Sequence, residues 1–416
     1  MEVRKQNKVL TLLFFFAGIA MFYFNNTYLS LGDRSVSIKY LIGAVLVVLA
    51  VIYGLVEADA NTIKEILKDG AVLILPYLVL LFFSMILWVY HVSPVSVITR
   101  GGFSVVYQCI GLCVAVSYVV VFRTKAPFVQ LASMVAAELI LIFVECIRSL
   151  GMGGFLKAYA DLILSIGGVK ADGFTAIEMN ELCFAFGIYL LFFLLAKQKI
   201  RYRFWLILLT AFLTSVGLKR IVIAGVFCSF IMSFFCGLFS EKIAKKILNI
   251  LKYVLIIAGI AYIVFVKTGL YNDVAQWLGI DTKGRVELNN FIDQYYTISP
   301  VFFGYGLGYI VRLFQTGAFR AATGIEALHN DILRLYIEVG FWGFLAWIFT
   351  FWGYRISYFS RRSIQTCLVA FSAFLYCFIT YLTDNTSFYF YTNMAVFTVT
   401  LACVCRDVEG ELKENE

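Results

Sequence analysis

His329-Asn330-Asp331-Ile332-Leu333-Arg334-Leu335-Tyr336-Ile337-Glu338-Val339-Gly340-Phe341-Trp342-Gly343 sets an ionisable cluster at the mouth of an apolar stretch that continues to about residue 354. Asp331, Arg334 and Glu338 recur at i, i+3 and i+7, so a helix presents all three on one face. About 20 mostly apolar residues suffice to carry a helix across a bilayer. Ionisable groups on such a helix are costly and therefore point to function. Just upstream, roughly from Thr268 to Leu328, lies the one long polar stretch of the chain.

The composition repeats this pattern throughout. The chain of 416 residues is 62% hydrophobic and 14% charged, with 41 Phe and 4 Pro. Such a composition excludes a soluble domain and implies a polytopic α-helical membrane protein. Twelve apolar stretches are candidate spans, near 9–29, 36–56, 70–90, 103–122, 128–147, 174–196, 202–218, 221–239, 248–267, 332–354, 366–383 and 386–405. They do not alternate as the shorter strands of a membrane β-barrel do. The expected fold is an all-α transmembrane bundle of about 12 spans, one integral-membrane domain over 1–416. A large loop, 268–331, lies between spans 9 and 10. The first stretch follows Arg4, Lys5 and Lys8 without a small-residue cleavage site, as an uncleaved anchor does. No internal repeat is visible.

Basic residues orient the spans. With twelve crossings, one side receives Arg4, Lys5, Lys8, Lys64, Lys68, Arg123, Lys125, Lys197, Lys199, Arg201, Arg203, Lys242, Lys245, Lys246, Lys252, Arg355, Arg361, Arg362, Arg406 and Lys413, which is 20 of the 34. Both termini are therefore expected in the cytoplasm, with 148–173 and 268–331 outside. The charge of +8 is mostly membrane-surface charge. It never gathers into a domain, so nucleic acid is not an expected partner; the lipid bilayer is. Cysteines fall in or beside the spans and are read as apolar filler. Cys403-Val404-Cys405 is too little for a metal site.

Within the 268–331 loop, Val286 to Tyr296 has roughly helical periodicity, an amphipathic outer helix. Gly304-Tyr305-Gly306-Leu307-Gly308 reads as a turn, with a phosphate cradle as the alternative. Lys219-Arg220, at the outer start of a span, is either a snorkelling cap or a fixed cation for an anion. Arg285, Arg312 and Arg320 are either solvated charges or parts of an anion clamp, for which the guanidinium fork is suited. His329 is a helix cap or a base, imidazole titrating near neutral pH. His91 reads as an ordinary residue at a span end. Asp331, Arg334 and Glu338 either satisfy one another or take part in chemistry. Glu138 and Glu145, seven apart, share a face of the fifth span, and Asn180 and Glu181 open the sixth. Gly340 and Gly343 suit close helix packing. The segment Phe155 to Ile166 is apolar but too short to span, so it either lies flat on the outer surface or folds over a cavity.

Together these residues resemble the O-antigen ligase/polymerase family of bacterial surface-polysaccharide assembly. The resemblance rests on Gly217-Leu218-Lys219-Arg220, Gly284-Arg285, Pro300 with Gly304-Tyr305-Gly306-Leu307-Gly308, and His329-Asn330 with Glu338, Gly340 and Gly343. It covers about 170–355; the first 150 residues add only hydropathy. The resemblance implies a GT-C-like fold and a metal-independent, inverting glycosyltransferase without cofactor. Such an enzyme uses undecaprenyl-diphosphate-linked glycan as donor and acceptor in the bacterial inner membrane. It implies that Arg220 and Arg285 hold the lipid diphosphate and that His329 activates the acceptor hydroxyl. Asn330, Asp331, Arg334, Glu338, Asn180 and Glu181 would support them. The family often has Ser-Arg where this chain has Lys219-Arg220, so either cation is a candidate for phosphate. A chain-length regulator and a flippase are the implied protein partners.

Three functions fit at this level: polymerisation of lipid-linked repeat units, ligation of finished glycan to another acceptor, or transport of lipid-linked oligosaccharide. Trp277, Tyr295, Tyr296, Tyr305, Tyr309 and Trp342 are candidate sugar-stacking groups, or an aromatic belt. The expected topology is directly measurable. In a Cys-free background, a cysteine at Asn272 should react with a membrane-impermeant thiol reagent in intact spheroplasts, and one at Lys245 should not. The reverse labelling pattern refutes the orientation.

Overall fold

Where lipid surrounds a backbone, its N–H and C=O groups have no water to bond, so the chain satisfies them internally as helix. The computed structural model of the chain describes residues 8–25, 27–31, 34–57, 60–164, 181–196, 200–217, 219–277, 284–316 and 327–414. Helix α1 (Lys8–Tyr23) leads through strands β1 (Tyr28–Leu31) and β2 (Arg34–Ser37) into α2 (Ile38–Glu57). Then come α3 (Ala60–Tyr90), α4 (Val95–Phe122), α5 (Ala126–Ile142), α6 (Arg148–Leu164), α7 (Leu182–Leu195), α8 (Arg203–Val216), α9 (Arg220–Gly237) and α10 (Glu241–Lys267). Three short helices follow, α11 (Leu270–Trp277), α12 (Arg285–Ile292) and α13 (Tyr309–Thr316). The chain ends with α14 (Asp331–Ile348), α15 (Arg355–Phe359), α16 (Ile364–Tyr381) and α17 (Phe390–Glu414). The two strands pair antiparallel, Tyr28 opposite Ser37 and Leu31 opposite Arg34, and are the only departure from all-α architecture among the described residues.

Each of the twelve apolar stretches overlaps a helix, 174–196 only over its described part, Leu182–Leu195, but among the described residues seven helical runs are long and apolar enough to cross a membrane. One of these, 95–161, holds two of the stretches, separated at Arg123 by a backbone break with φ +51°. Helices α1, α7 and α8 are apolar but shorter, and α17 dilutes its apolarity with Arg406, Asp407 and Glu409. The protein is a multi-pass membrane-helix bundle with seven candidate spans by that criterion. Helices α7, α16 and α17 form its centre. The apolar window of α16 is 89% buried and that of α2 only 22%, so α2 faces outward.

Successive long helices alternate in direction, as their end contacts show. At one end the Arg123 guanidinium donates to Glu409, Arg362 pairs with Glu65 and Asp69, and Ser363 donates to Asp407. At the other end, His91 meets the Gly304 carbonyl, Tyr262 the Leu382 carbonyl and Lys267 the Asp293 carboxylate. His329 lies at this second end, and both described termini lie at the first. Two cations expected on the surface are instead inside the bundle. Arg355 is 2% exposed, donates to the Leu73 carbonyl and lies over the rings of Phe351 and Phe374. Lys252 is buried and donates to Asn249 and Ser357. Glu138 and Glu145 do not share a face: Glu138 is buried and Glu145 exposed. The π-turn at Phe143–Ile147 inserts extra backbone between them and rotates the register.

A helix forms near Val286 as expected, α12, and buries Leu288, Asn289 and Ile292. The segment from Phe155 folds back within α6 after a break at Gly151, and Phe155 packs with Ile142, Cys146 and Val216. Gly343 packs closely, since a Cβ there would lie 3.2 Å from Phe83 on α3. Gly340 does something else. It breaks α14 with φ +70°, and a Cβ would lie 2.0 Å from the Phe303 carbonyl oxygen. Gly340→Ala should therefore destabilise the protein by at least about 2 kcal/mol, read as a lowered thermal midpoint in detergent. Gly151→Ala shares the left-handed backbone but meets nothing within 4 Å, and should cost about 1 kcal/mol. Equal shifts for the two variants would contradict the Phe303 contact as the cause.

Candidate functional site

The N-terminus of α14 forms because Asn330 caps it. The extended Asn330 backbone lets its Oδ1 accept from the Leu333 amide at 3.1 Å. The same side chain donates from Nδ2 to the Tyr262 hydroxyl at 2.9 Å, and that hydroxyl donates to the Leu382 carbonyl at 2.7 Å. Asn330 thus ties α14 to α10 and to the connection between α16 and α17.

That connection supplies the residues sequence reasoning missed. Asp384 Oδ1 lies 3.2 Å from His329 Nδ1, and the Asp384 carbonyl accepts from the Asp331 amide at 3.3 Å. Ser387 donates its amide to Asp331 Oδ2 at 2.5 Å, and its hydroxyl accepts from Arg334 Nη2 at 2.8 Å. The signal was present: Thr383-Asp384-Asn385-Thr386-Ser387 is a polar run between two apolar stretches. Nothing local in that run points to His329 as its partner.

Charge decides the geometry here. Asp331 and Glu338 are 0% and 1% exposed, and Arg334 is 8%. Arg334 lies 2.8 Å from Asp331 Oδ1 and 3.8 Å from Glu338 Oε2, so the three residues of one helical face form a chain of ion pairs. Glu338 also accepts from the Gly308 and Ile310 amides at 2.9 and 3.1 Å, and its carbonyl from Tyr305 and Gly306 at 3.0 and 2.6 Å. The glycine run is therefore a turn whose amides from Tyr305 to Gly308 already have an acceptor; Gly304, Gly306 and Gly308 all have positive φ. His329 differs from its neighbours in keeping 42% of its side chain exposed.

A small cleft, with about 10 Å³ of free space, opens beside His329 and Asn330. Arg285 lines it, aimed from the first position of α12 after the left-handed Gly284. Tyr262, Tyr271 and Asn289 complete its polar wall. Lys219 approaches from the α8–α9 junction. Gly217 holds that junction against α7, since a Cβ there would lie 2.6 Å from Cys183. Burial raises the Asp384 carboxyl, but the His329 hydrogen bond, the charge of Lys219 and the Asn385 amide outweigh it and hold the group below its ordinary value. An ionised Asp384 takes the Nδ1 proton of His329 as its hydrogen-bond donor, which leaves Nε2 as the basic nitrogen.

The structure thus brings together His329, Asn330 and Arg285, and Lys219 acts on Asp384 through its charge without lining the cleft. Arg220 is exposed at the first position of α9 and does not line the cleft. Glu181 lies apart, left-handed at φ +67° and within the charge of Lys39. Asn180 lies outside the described residues, as do Arg320, Lys197 and Lys199. The arrangement can take a proton from a small donor at Nε2 and hold an anionic group with Arg285. No protein-family model and no curated protein matches the chain.

Asp384 has a lowered carboxyl, so its stabilising contribution is complete above the unfolded value of about 3.9 and is lost as pH falls through the folded one. Titrated downward from pH 5, the thermal midpoint of the wild-type protein should fall more steeply than that of Asp384→Asn. Parallel curves would show that Asp384 carries no such linkage.

Proposed function

We propose that the protein polymerises undecaprenyl-diphosphate-linked oligosaccharide repeat units into O-antigen, capsular polysaccharide or exopolysaccharide at the outer side of the cytoplasmic membrane. The observation that best supports this reading is the shared cleft of His329 and Arg285, with Asp384 behind the imidazole and the charge of Lys219 behind Asp384. It joins three motifs that are far apart in the sequence and that carry the resemblance to the O-antigen ligase/polymerase family. That basic residues are concentrated at the opposite end of the bundle supports an outward-facing site.

In this reading His329 Nε2 takes the proton of the acceptor hydroxyl as its oxygen attacks the anomeric carbon from the face opposite the diphosphate. The bond from that carbon to the diphosphate oxygen breaks, and the lipid diphosphate leaves with the electron pair. Arg285 and Lys219, with Arg220 nearby in sequence, offset the charge that develops on it; fixed cations aimed at a leaving group are a main source of catalysis. Asp384 stabilises the imidazolium, a positioning and electrostatic role. Cations of the chain take the place of a divalent ion, so no metal is required. Asp331, Arg334 and Glu338 act through structure, holding the α14 end and the glycine turn.

The test is chain growth by purified protein supplied with a lipid-linked repeat unit. Longer lipid-linked chains are expected, and growth should survive EDTA. His329→Ala should lower turnover by about 10²–10⁴-fold and remove one ionisation from the pH–rate profile. Arg285→Ala should abolish most donor use, and Arg285→Lys restore only part, because a point charge does not reproduce the guanidinium fork. Movement of oligosaccharide across vesicles without elongation would identify a transporter. Transfer of finished glycan to a different acceptor would identify a ligase. Normal growth by correctly inserted His329→Ala would exclude it as the base.

A further inference from the structure

The His329 cleft has about 10 Å³ of free space, too little to hold a sugar, whereas small-molecule sites run to about 300–1,000 Å³. A second cleft at the same end of the bundle offers about 310 Å³ of free space. It lies on the Tyr309, Arg312 and Leu313 side of α13, while Phe314 of the same helix packs at 6.0 Å from Phe291 of α12. The two clefts thus flank one α12–α13 layer.

One wall of the second cleft is a ladder of rings. Tyr305 and Tyr309 stack at 4.2 Å with 15° between planes, and His91 lies 5.6 Å from Tyr305 at 34°. Ser93 and Arg312 add a hydroxyl and a guanidinium. This wall is built and fixed from beneath. His91 Nε2 donates to the Gly304 carbonyl at 2.8 Å, the Trp88 indole donates to the Leu307 carbonyl, and the Ser84 hydroxyl accepts from the Leu307 amide. Glu338 holds the amides on either side. Val92, between two lining residues, has φ +47°, a costly conformation for a β-branched residue. Such strain persists where the surroundings over-determine it and clusters at ligand sites.

Stacked tyrosines edged by a hydroxyl and a guanidinium match a pyranose ring, with its apolar C–H face and rim of hydroxyls. Aromatic residues with a polar tip suit such amphipathic ligands. An anionic lipid headgroup would use Arg312 and leave the ring ladder without a partner. We infer that the His91–Tyr305–Tyr309–Arg312 cleft is a saccharide-binding subsite that holds a sugar residue of the glycan reacting at His329. The assignment of that glycan rests on the function proposed above.

The test uses full-length protein in nanodiscs, probed with a printed array of neutral and acidic bacterial surface oligosaccharides and with phosphatidylglycerol vesicles. Binding to a subset of saccharides is expected. Tyr309→Ala should weaken it about three- to tenfold, the value of one aromatic contact. Tyr309→Phe keeps the ring and should bind nearly as wild type, which controls for folding; Arg312→Gln should weaken binding without changing the melting temperature. His329→Ala should bind normally. Binding of no saccharide, unchanged binding by Tyr309→Ala, or Arg312-dependent capture of vesicles alone would overturn the subsite. Ring-dependent binding without chain growth by the wild-type protein would sink the polymerase reading and leave the subsite standing. Chain growth with ring-independent binding would do the reverse.

Discussion

Glu338 is buried in α14, and its carboxylate and carbonyl together accept from four amides of the Tyr305–Ile310 segment while Arg334 lies alongside. Much of the His329 end of the bundle depends on this one residue. A buried charge is tolerable only when paired and hydrogen-bonded, and removing one partner of such a set costs about 3–5 kcal/mol. Glu338 meets that condition by drawing the glycine turn onto α14. The turn in turn presents Tyr305 and Tyr309, and Arg334 passes the charge balance on to Asp331 and Ser387.

The arrangement separates structural charge from available charge. Asp331, Arg334 and Glu338 are enclosed and joined by ion pairs. His329, one step before the same helix, keeps almost half of its side chain open with a carboxylate behind it. A site needing a base and an anion clamp at a lipid boundary must expose those groups while burying what positions them. The division between the α14 triad and the His329–Arg285 cleft does this.

Much of the candidate site was legible before the structure. His329-Asn330, Gly284-Arg285 and Lys219-Arg220 stood out because polar groups are scarce in so apolar a chain. Their convergence was not legible, and neither was Asp384, whose role depends on α16 and α17 returning to the start of α14. Arg355 and Lys252 misled for the same reason. A charge near the end of an apolar stretch looks like a surface charge, and only packing shows that Arg355 is surrounded by Leu73, Phe351 and Phe374. Likewise Glu138 and Glu145 share a face in an ideal helix but not across a π-turn.

By itself the sequence determined the helical, membrane-embedded class, because hydropathy and backbone hydrogen bonding are local properties summed over about 20 residues. It also determined where the polar chemistry could lie, since isolated charges in an apolar chain are conspicuous. Tertiary structure alone decided which of those charges face one another. Only folding sets Asp384 against His329 and Arg285 across the cleft, turns the glycine run into the seat of Glu338, and stacks Tyr305 on Tyr309. Those relations are contacts between helices remote in the chain, and no periodicity within a single helix encodes them.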